Sequence, residues 1–209
     1  MARSGPALLI AIGLFLTIGA RADVIVFEDN FDGNDFHDVW TLVDGNVDVG
    51  AFSDLCNNGA GGYCVDTEGT GPGANAAFFL ANPLTLSTGD YTFSFDWGNN
   101  AGLYPAPSTL EWFIYGEPDG NPLFALTVAQ GVVDSGAGHD WIYETVTTSF
   151  SWPVATNLEN VIIGFEQTGI EGNLGGTVLD NVRLVKVPAP APLLLLALGL
   201  LTLIPRRRH

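Results

Sequence analysis

Asp90-Tyr-Thr-Phe-Ser-Phe-Asp-Trp97 (DYTFSFDW) is the cleanest alternation in the chain. In an extended strand, Tyr91, Phe93, Phe95 and Trp97 fall on one face and Thr92, Ser94 and Asp96 on the other. One aromatic face and one polar face is the pattern of a central strand that turns one side to a core. Moving toward the C-terminus, the next segments are Thr109–Tyr115 (TLEWFIY) and Leu123–Val128 (LFALTV), joined by GEPDGNP. These read as a strand pair. Trp141–Phe150 alternates again, Val161–Phe165 (VIIGF) is a short buried strand, and Thr177–Val187 (TVLDNVRLVKV) closes the domain.

Toward the N-terminus, Ala76–Leu80 and Tyr63–Asp66 read as short strands joined by TEGTGPGAN. Trp40–Val43 and Asn46–Val49 read as a hairpin around Asp44-Gly45, a favoured tight-turn pair. Val24–Phe27 is the first strand, followed by an acidic loop, Glu28–Asp38. No helix is expected between Val24 and Val187. The expected fold is all-β, an antiparallel β-sandwich.

Both ends of the 209-residue chain differ from this middle. Arg3, the apolar run Pro6–Gly19 and the small-x-small triplet Ala20-Arg21-Ala22 have the form of a secretory signal peptide covering 1–22. At the other end, Val187-Pro188-Ala189-Pro190 leads into an apolar run, Leu193–Ile204, and then Pro205, Arg206, Arg207 and Arg208. A greasy helix with a basic stop is expected to insert in a membrane, with the arginines on the cytoplasmic side. The expected organisation is therefore signal peptide 1–22, sandwich 23–187 and sorting or transmembrane segment 188–209.

The middle domain holds all 23 acidic residues but only two of the seven basic ones, Arg183 and Lys186, a formal charge of −21. That excludes nucleic acid and anionic lipid as partners of this domain, because both require positive charge. Divalent cations suit it better. The two cysteines, Cys56 and Cys64 in LCNNGAGGYC, are expected to form a disulfide in an exported chain. Their spacing does not fit a zinc site.

The C-terminal hinge, helix and arginine cluster resemble the PEP-CTERM sorting signal of Gram-negative bacteria. There the usual Val-Pro-Glu-Pro motif stands where this chain has Val187-Pro188-Ala189-Pro190. The resemblance implies an exosortase-type processing enzyme as partner. It also implies anchoring in the inner membrane by the C-terminal helix before processing, then a place at the cell surface or in the extracellular matrix. The segments NVDVGAFSDLC…GGYCVDTEG, LTLSTGDYTFSFDWGNN and GGTVLDNVRL look like a jelly-roll domain carried by many such proteins, similar to carbohydrate-binding and galactose-binding-like modules. That implies a jelly-roll topology and an exopolysaccharide partner.

In sandwiches of that type the first and last strands are neighbours and are often tied by structural Ca²⁺. The residues here that would supply hard oxygen ligands are Glu28, Asp29, Asp32 and Asp180. For a glycan, the loop Gly98–Ser108 offers Asn99, Asn100 and Tyr104 as a small polar-aromatic surface; most tryptophans are expected in the core. Catalysis has the weakest basis. Glu111, Glu144 and Glu166 lie in or near strands, as a glycosidase pair would, but no nucleophile elbow or HExxH motif is present. A non-catalytic module binding polysaccharide is the leading expectation. A purely structural surface protein and a glycan-active hydrolase are the alternatives.

Overall fold

In the computed structural model the described residues are 22–33, 35–50, 56, 62–67, 75–99, 108–134, 143–169 and 177–189. Among the described residues, twelve strands build two antiparallel sheets packed face to face, an all-β sandwich of jelly-roll type. The strands are β1 (Val24–Asp29), β2 (Trp40–Asp44), β3 (Asp48–Gly50), β4 (Cys64–Asp66), β5 (Ala77–Leu80) and β6 (Leu84–Leu86), followed by β7 (Gly89–Asn99), β8 (Ser108–Pro118), β9 (Leu126–Asp134), β10 (Tyr143–Trp152), β11 (Leu158–Gly169) and β12 (Thr177–Val187). Sheet A runs β10-β7-β12-β4-β3, with β1 also on β12; sheet B runs β2-β5-β11-β8-β9, with β6 also on β11. The first and last strands are thus hydrogen-bonded neighbours.

The DYTFSFDW alternation sets the core. Tyr91, Phe93, Phe95 and Trp97 are all buried, and β7 lies between β10 and β12. Their rings meet those of the opposite sheet: Phe93 stands 5.3 Å from Trp112, and Phe95 stands 5.4 Å edge-on from Phe165. Trp40 packs edge-on against Phe78 at 5.5 Å. Edge-to-face and tilted pairs of this kind add to the large apolar area aromatics remove from water. Trp40, Trp97, Trp112 and Trp152 are all core residues, as expected. A buried polar knot locks the sheets at one end. Thr67 Oγ1 donates to the Thr177 carbonyl at 2.7 Å and to Gln167 Oε1, which also accepts from Thr177 N–H at 3.2 Å.

Three expectations need correction. Asp44-Gly45 does not close a hairpin: β2 pairs with β5 in sheet B, whereas β3 pairs with β4 in sheet A. The turn is a corner between sheets. Gly45 has φ +73°, and a Cβ there would lie 2.1 Å from the Asn75 carbonyl oxygen. Trp40 needs the ring of Phe78, and that draws β2 to sheet B. The strand expected from Leu123 begins only at Leu126, because Pro122–Phe124 forms a 3₁₀ turn whose N–H of Leu123 donates to Asn121 Oδ1 at 3.1 Å. Within the acidic loop, Phe36–Val39 forms a single helical turn, α1, that sinks Phe36 into the core.

Candidate functional site

Directly opposed residues on antiparallel strands share a face, so the register of sheet B maps its outer surface. In β8, Leu110, Trp112 and Ile114 point to the core. Glu111, Phe113 and Tyr115 therefore point outward. One outer row crosses the strands as Thr41, Phe79, Gly164, Phe113 and Gln130. The next row carries Ala77, Glu166, Glu111 and Val132, and the row on the other side Ile162, Tyr115 and Thr127. Adjacent rows lie roughly 7 Å apart along the strands.

Two features mark this face. Gly164 sits between Phe79 and Phe113, and a Cβ on it would come within 2.2 Å of Phe113 Cζ. The Phe113 ring therefore lies flat across β11, and only glycine permits that. Beside it, Glu166 stands directly opposite Glu111. Like charges at that separation, about 5 Å between Cβ atoms, repel and weaken the sheet. A groove of about 340 Å³ opens over this spot, lined by Glu111, Phe113, Gln130, Val132 and Glu166 among others. Flat aromatic carbon next to paired acceptors and an amide suits a ligand with an apolar ring face and a rim of hydroxyls. Sequence reasoning singled out Glu111 and Glu166 but not Phe79, Phe113 and Gln130. The signal was in TLEWFIY, where fixing Leu110, Trp112 and Ile114 in the core leaves Phe113 outside. The third carboxylate considered with them, Glu144, lies on β10 of the other sheet.

The residues expected to hold Ca²⁺ are partly brought together. Asp180 is fully buried on β12, where Asn181 (φ 51°) breaks the register with β7. It stands directly opposite Asp96. Burial is the main force pushing its carboxyl up to about 7; the negative charges of Asp96, Asp32 and Asp29 push the same way, against a hydrogen bond from Asn181 N–H. Asp180 Oδ1 accepts that bond at 2.7 Å, and Oδ2 is buried with no hydrogen-bond partner among the described residues. Asp29 Oδ2 accepts from Trp40 Nε1 at 2.6 Å and Oδ1 from Phe31 N–H at 2.8 Å. Burial raises its pKa, and those bonds oppose the rise. Asp32 Oδ1 accepts from Tyr63 N–H at 2.9 Å. Glu28 is drawn away, to within 3.7 Å of Arg183 Nε. The cleft beside the cluster, about 500 Å³, is lined by Asp29, Asn30, Asp35 and Asn181 among others. Among the described residues, no three His, Cys, Asp or Glu side chains converge closely enough to hold a metal ion. Asp96 was absent from the expected set. It braces the site by accepting from Thr145 Oγ1 and from Asn181 Nδ2 at 2.9 Å.

Cys56 and Cys64 form the expected disulfide, closing a sequence separation of 8 residues. Of the expected glycan loop, Asn100 and Tyr104 lie outside the described residues, and Asn99 is described only through its backbone pairing with Thr177. Residues 1–21, and Pro190 through Arg206, Arg207 and Arg208, also lie outside them. No helix among the described residues is long and apolar enough to cross a membrane.

No family model matches the chain, and no curated protein matches it. Solved structures with a similar arrangement of strands include the CBM22-1 xylan-binding domain of Xyn10C from Paenibacillus barcinonensis. It has 16% identity and a TM-score of 0.49, over 81% of this chain and 99% of that one. A cleaved adhesin domain of Lys-gingipain from Porphyromonas gingivalis has 14% identity and a TM-score of 0.49, over 78% of this chain and 98% of that one. The CBM22-1-GH10 modules of Xyn10B from Clostridium thermocellum, complexed with xylohexaose, have 16% identity and a TM-score of 0.48. That match covers 79% of this chain and 29% of that one. Likeness of this degree is likeness of architecture and does not identify a ligand.

Proposed function

We propose that the protein is an exported, non-catalytic β-sandwich that binds a neutral polysaccharide on the outer face of sheet B. The carrying observation is the Phe113 ring laid flat over Gly164 beside the opposed pair Glu111 and Glu166. The reading stands on that groove and not on the architectural likeness. A sugar ring stacks its C–H face on the aromatic carbon. Its hydroxyls donate to the two carboxylates, which relieves their repulsion. The formal charge of −21 between Asp23 and Val187 selects against uronic-acid polymers, whose own carboxylates would face an acidic wall. In this reading residues 1–22 direct export. Residues 188–209 hold the chain in the inner membrane until an exosortase-type enzyme processes it and leaves the domain at the cell surface or in the matrix.

Affinity electrophoresis of the full chain through gels containing neutral or acidic polysaccharides tests the proposal. Retardation by a neutral polymer, abolished in the Glu111→Gln, Glu166→Gln double variant, is expected. Retardation by no glycan, or by uronic polymers alone, would contradict it. Release of reducing ends would convert the module into a hydrolase.

A structural cation is a second reading, favoured by the orphaned, buried Oδ2 of Asp180. Asp180 would be its pivot, with Asp96, Asp32 and Asp29, whose charges act on it, as further oxygen donors and Ca²⁺ the ion that suits them. A melting temperature that is the same in Ca²⁺ and in EDTA would remove this reading.

A further inference from the structure

The exposed apolar side chains are gathered at one end of the sandwich. Val24 and Ile25 open β1, and Val24 pairs with Lys186 beside the exposed Val187. Val187 pairs with Asp90, next to Gly89, which pairs with Trp152. Val154 follows Trp152, and its carbonyl accepts from Thr88 Oγ1. Leu158 pairs with Pro118, which leads to the β8–β9 turn. There Leu123 is 88% exposed and Phe124 65%, with Leu126 just behind them. Val43 and Val132, near the opposite end, are the other large exposed apolar residues among those described.

The tip is braced. Asn121 N–H donates to the Pro118 carbonyl at 3.0 Å, and Asp119 N–H reaches the Asn157 carbonyl at 3.1 Å. Asn121 Oδ1 holds Leu123 N–H, and Asn160 Nδ2 donates to Glu117 Oε2 at 2.6 Å. A braced turn cannot fold its leucine and phenylalanine away from water, so it presents them. The chain leaves the sandwich at this same end, from Val187 into Pro188. From Val187 to Leu193 an extended chain spans at most about 20 Å.

We infer that this end of the sandwich is a membrane-facing surface, with Leu123 and Phe124 seated in the headgroup region of a zwitterionic bilayer. The inference rests on the reading of 188–209 as a membrane segment. That segment's apolar run would tether the domain by this end within reach of the interface, where exposed apolar side chains can enter the headgroup boundary. Asp23, Asp90, Glu117, Asp119 and Glu159 share the end, and the one cation near it among the described residues, Lys186, donates to Ser87 Oγ at 2.6 Å. Those charges disfavour an anionic surface.

The test uses the full chain in phosphatidylcholine vesicles, with a benzophenone crosslinker in place of Phe124 or, as control, in place of Val132. Both positions are exposed, and an unchanged melting temperature verifies the fold. Lipid adducts at position 124 are expected in roughly tenfold excess over 132, falling when phosphatidylglycerol is added. Equal yields at both positions, a crosslink to a second copy instead of lipid, or a rise with phosphatidylglycerol would overturn the assignment. If the chain floats with vesicles and position 124 stays free of lipid, this inference fails alone. If it does not float, the membrane reading of 188–209 fails with it.

Discussion

Among the directly opposed carboxylates, two pairs differ most in their cover: Asp96 and Asp180 in sheet A, Glu111 and Glu166 in sheet B. The register is equivalent and the surroundings are not. Asp180 is fully buried, Asp96 nearly so, and the pair is cross-braced by Thr145 and Asn181. Glu111 and Glu166 stand exposed on a groove beside a bare aromatic ring. Burial turns the first repulsion into a raised pKa and a demand for a proton or a cation. Exposure leaves the second available to a ligand's hydroxyls. Side-chain identity alone therefore does not separate the two acid pairs; the cover over each does.

The largest effect is expected at the buried pair. The Asp180 carboxyl sits at about 7 in the fold against an ordinary 3.8. A group whose pKa is raised on folding favours the folded state in acid. That contribution is complete below about pH 4 and is lost as pH rises through about 7. In EDTA, melting temperature should therefore fall between pH 5 and pH 8. Asp180→Asn should flatten the curve and stabilise the fold at pH 8 by about 2–4 kcal/mol. Calcium at pH 8 should restore the natural protein and leave the variant unchanged. A flat pH curve for the natural protein would break the contrast between the pairs.

A smaller effect is expected from Gly164→Ala. Its Cβ meets the Phe113 ring, so the ring must lift, at about 1–3 kcal/mol of stability by denaturant unfolding. Glycan affinity should fall with it. Full affinity in this variant would remove the flat ring from the site. The smallest effect is expected from Glu111→Gln alone, which relieves one cross-strand repulsion. It should raise stability by about 0.2–1 kcal/mol while weakening glycan binding. A loss of stability would mean that the two glutamates do not oppose one another as the register places them.

Much of this architecture was legible in the chain. The aromatic alternation of Tyr91–Trp97, the last strand Thr177–Val187 and the Cys56–Cys64 bridge could be read directly, because each is a local pattern with one physical outcome. Asp44-Gly45 misled because a turn signal fixes a change of direction and not a partner; Phe78 and Val65, distant in sequence, decide the pairing of β2 and β3. Phe113 was overlooked for a similar reason. A phenylalanine in an apolar strand reads as core; alternation with Leu110, Trp112 and Ile114 turns it outward, but the flat lie of its ring depends on Gly164, 51 positions away in the numbering. Asp180 was recognisable as a candidate, but its opposition to Asp96 rests on a long-range register.

The central claim is that the outer face of sheet B binds and that of sheet A does not. Titration calorimetry of one neutral oligosaccharide against the full chain, Phe113→Ala and Thr147→Ala tests it most directly, since Thr147 is exposed opposite Ser94 on sheet A. The account expects Phe113→Ala to weaken binding by about 10–100-fold, the worth of one aromatic contact, and Thr147→Ala to bind like the natural protein. Equal affinities for all three, or loss at Thr147 with Phe113→Ala unaffected, would contradict it.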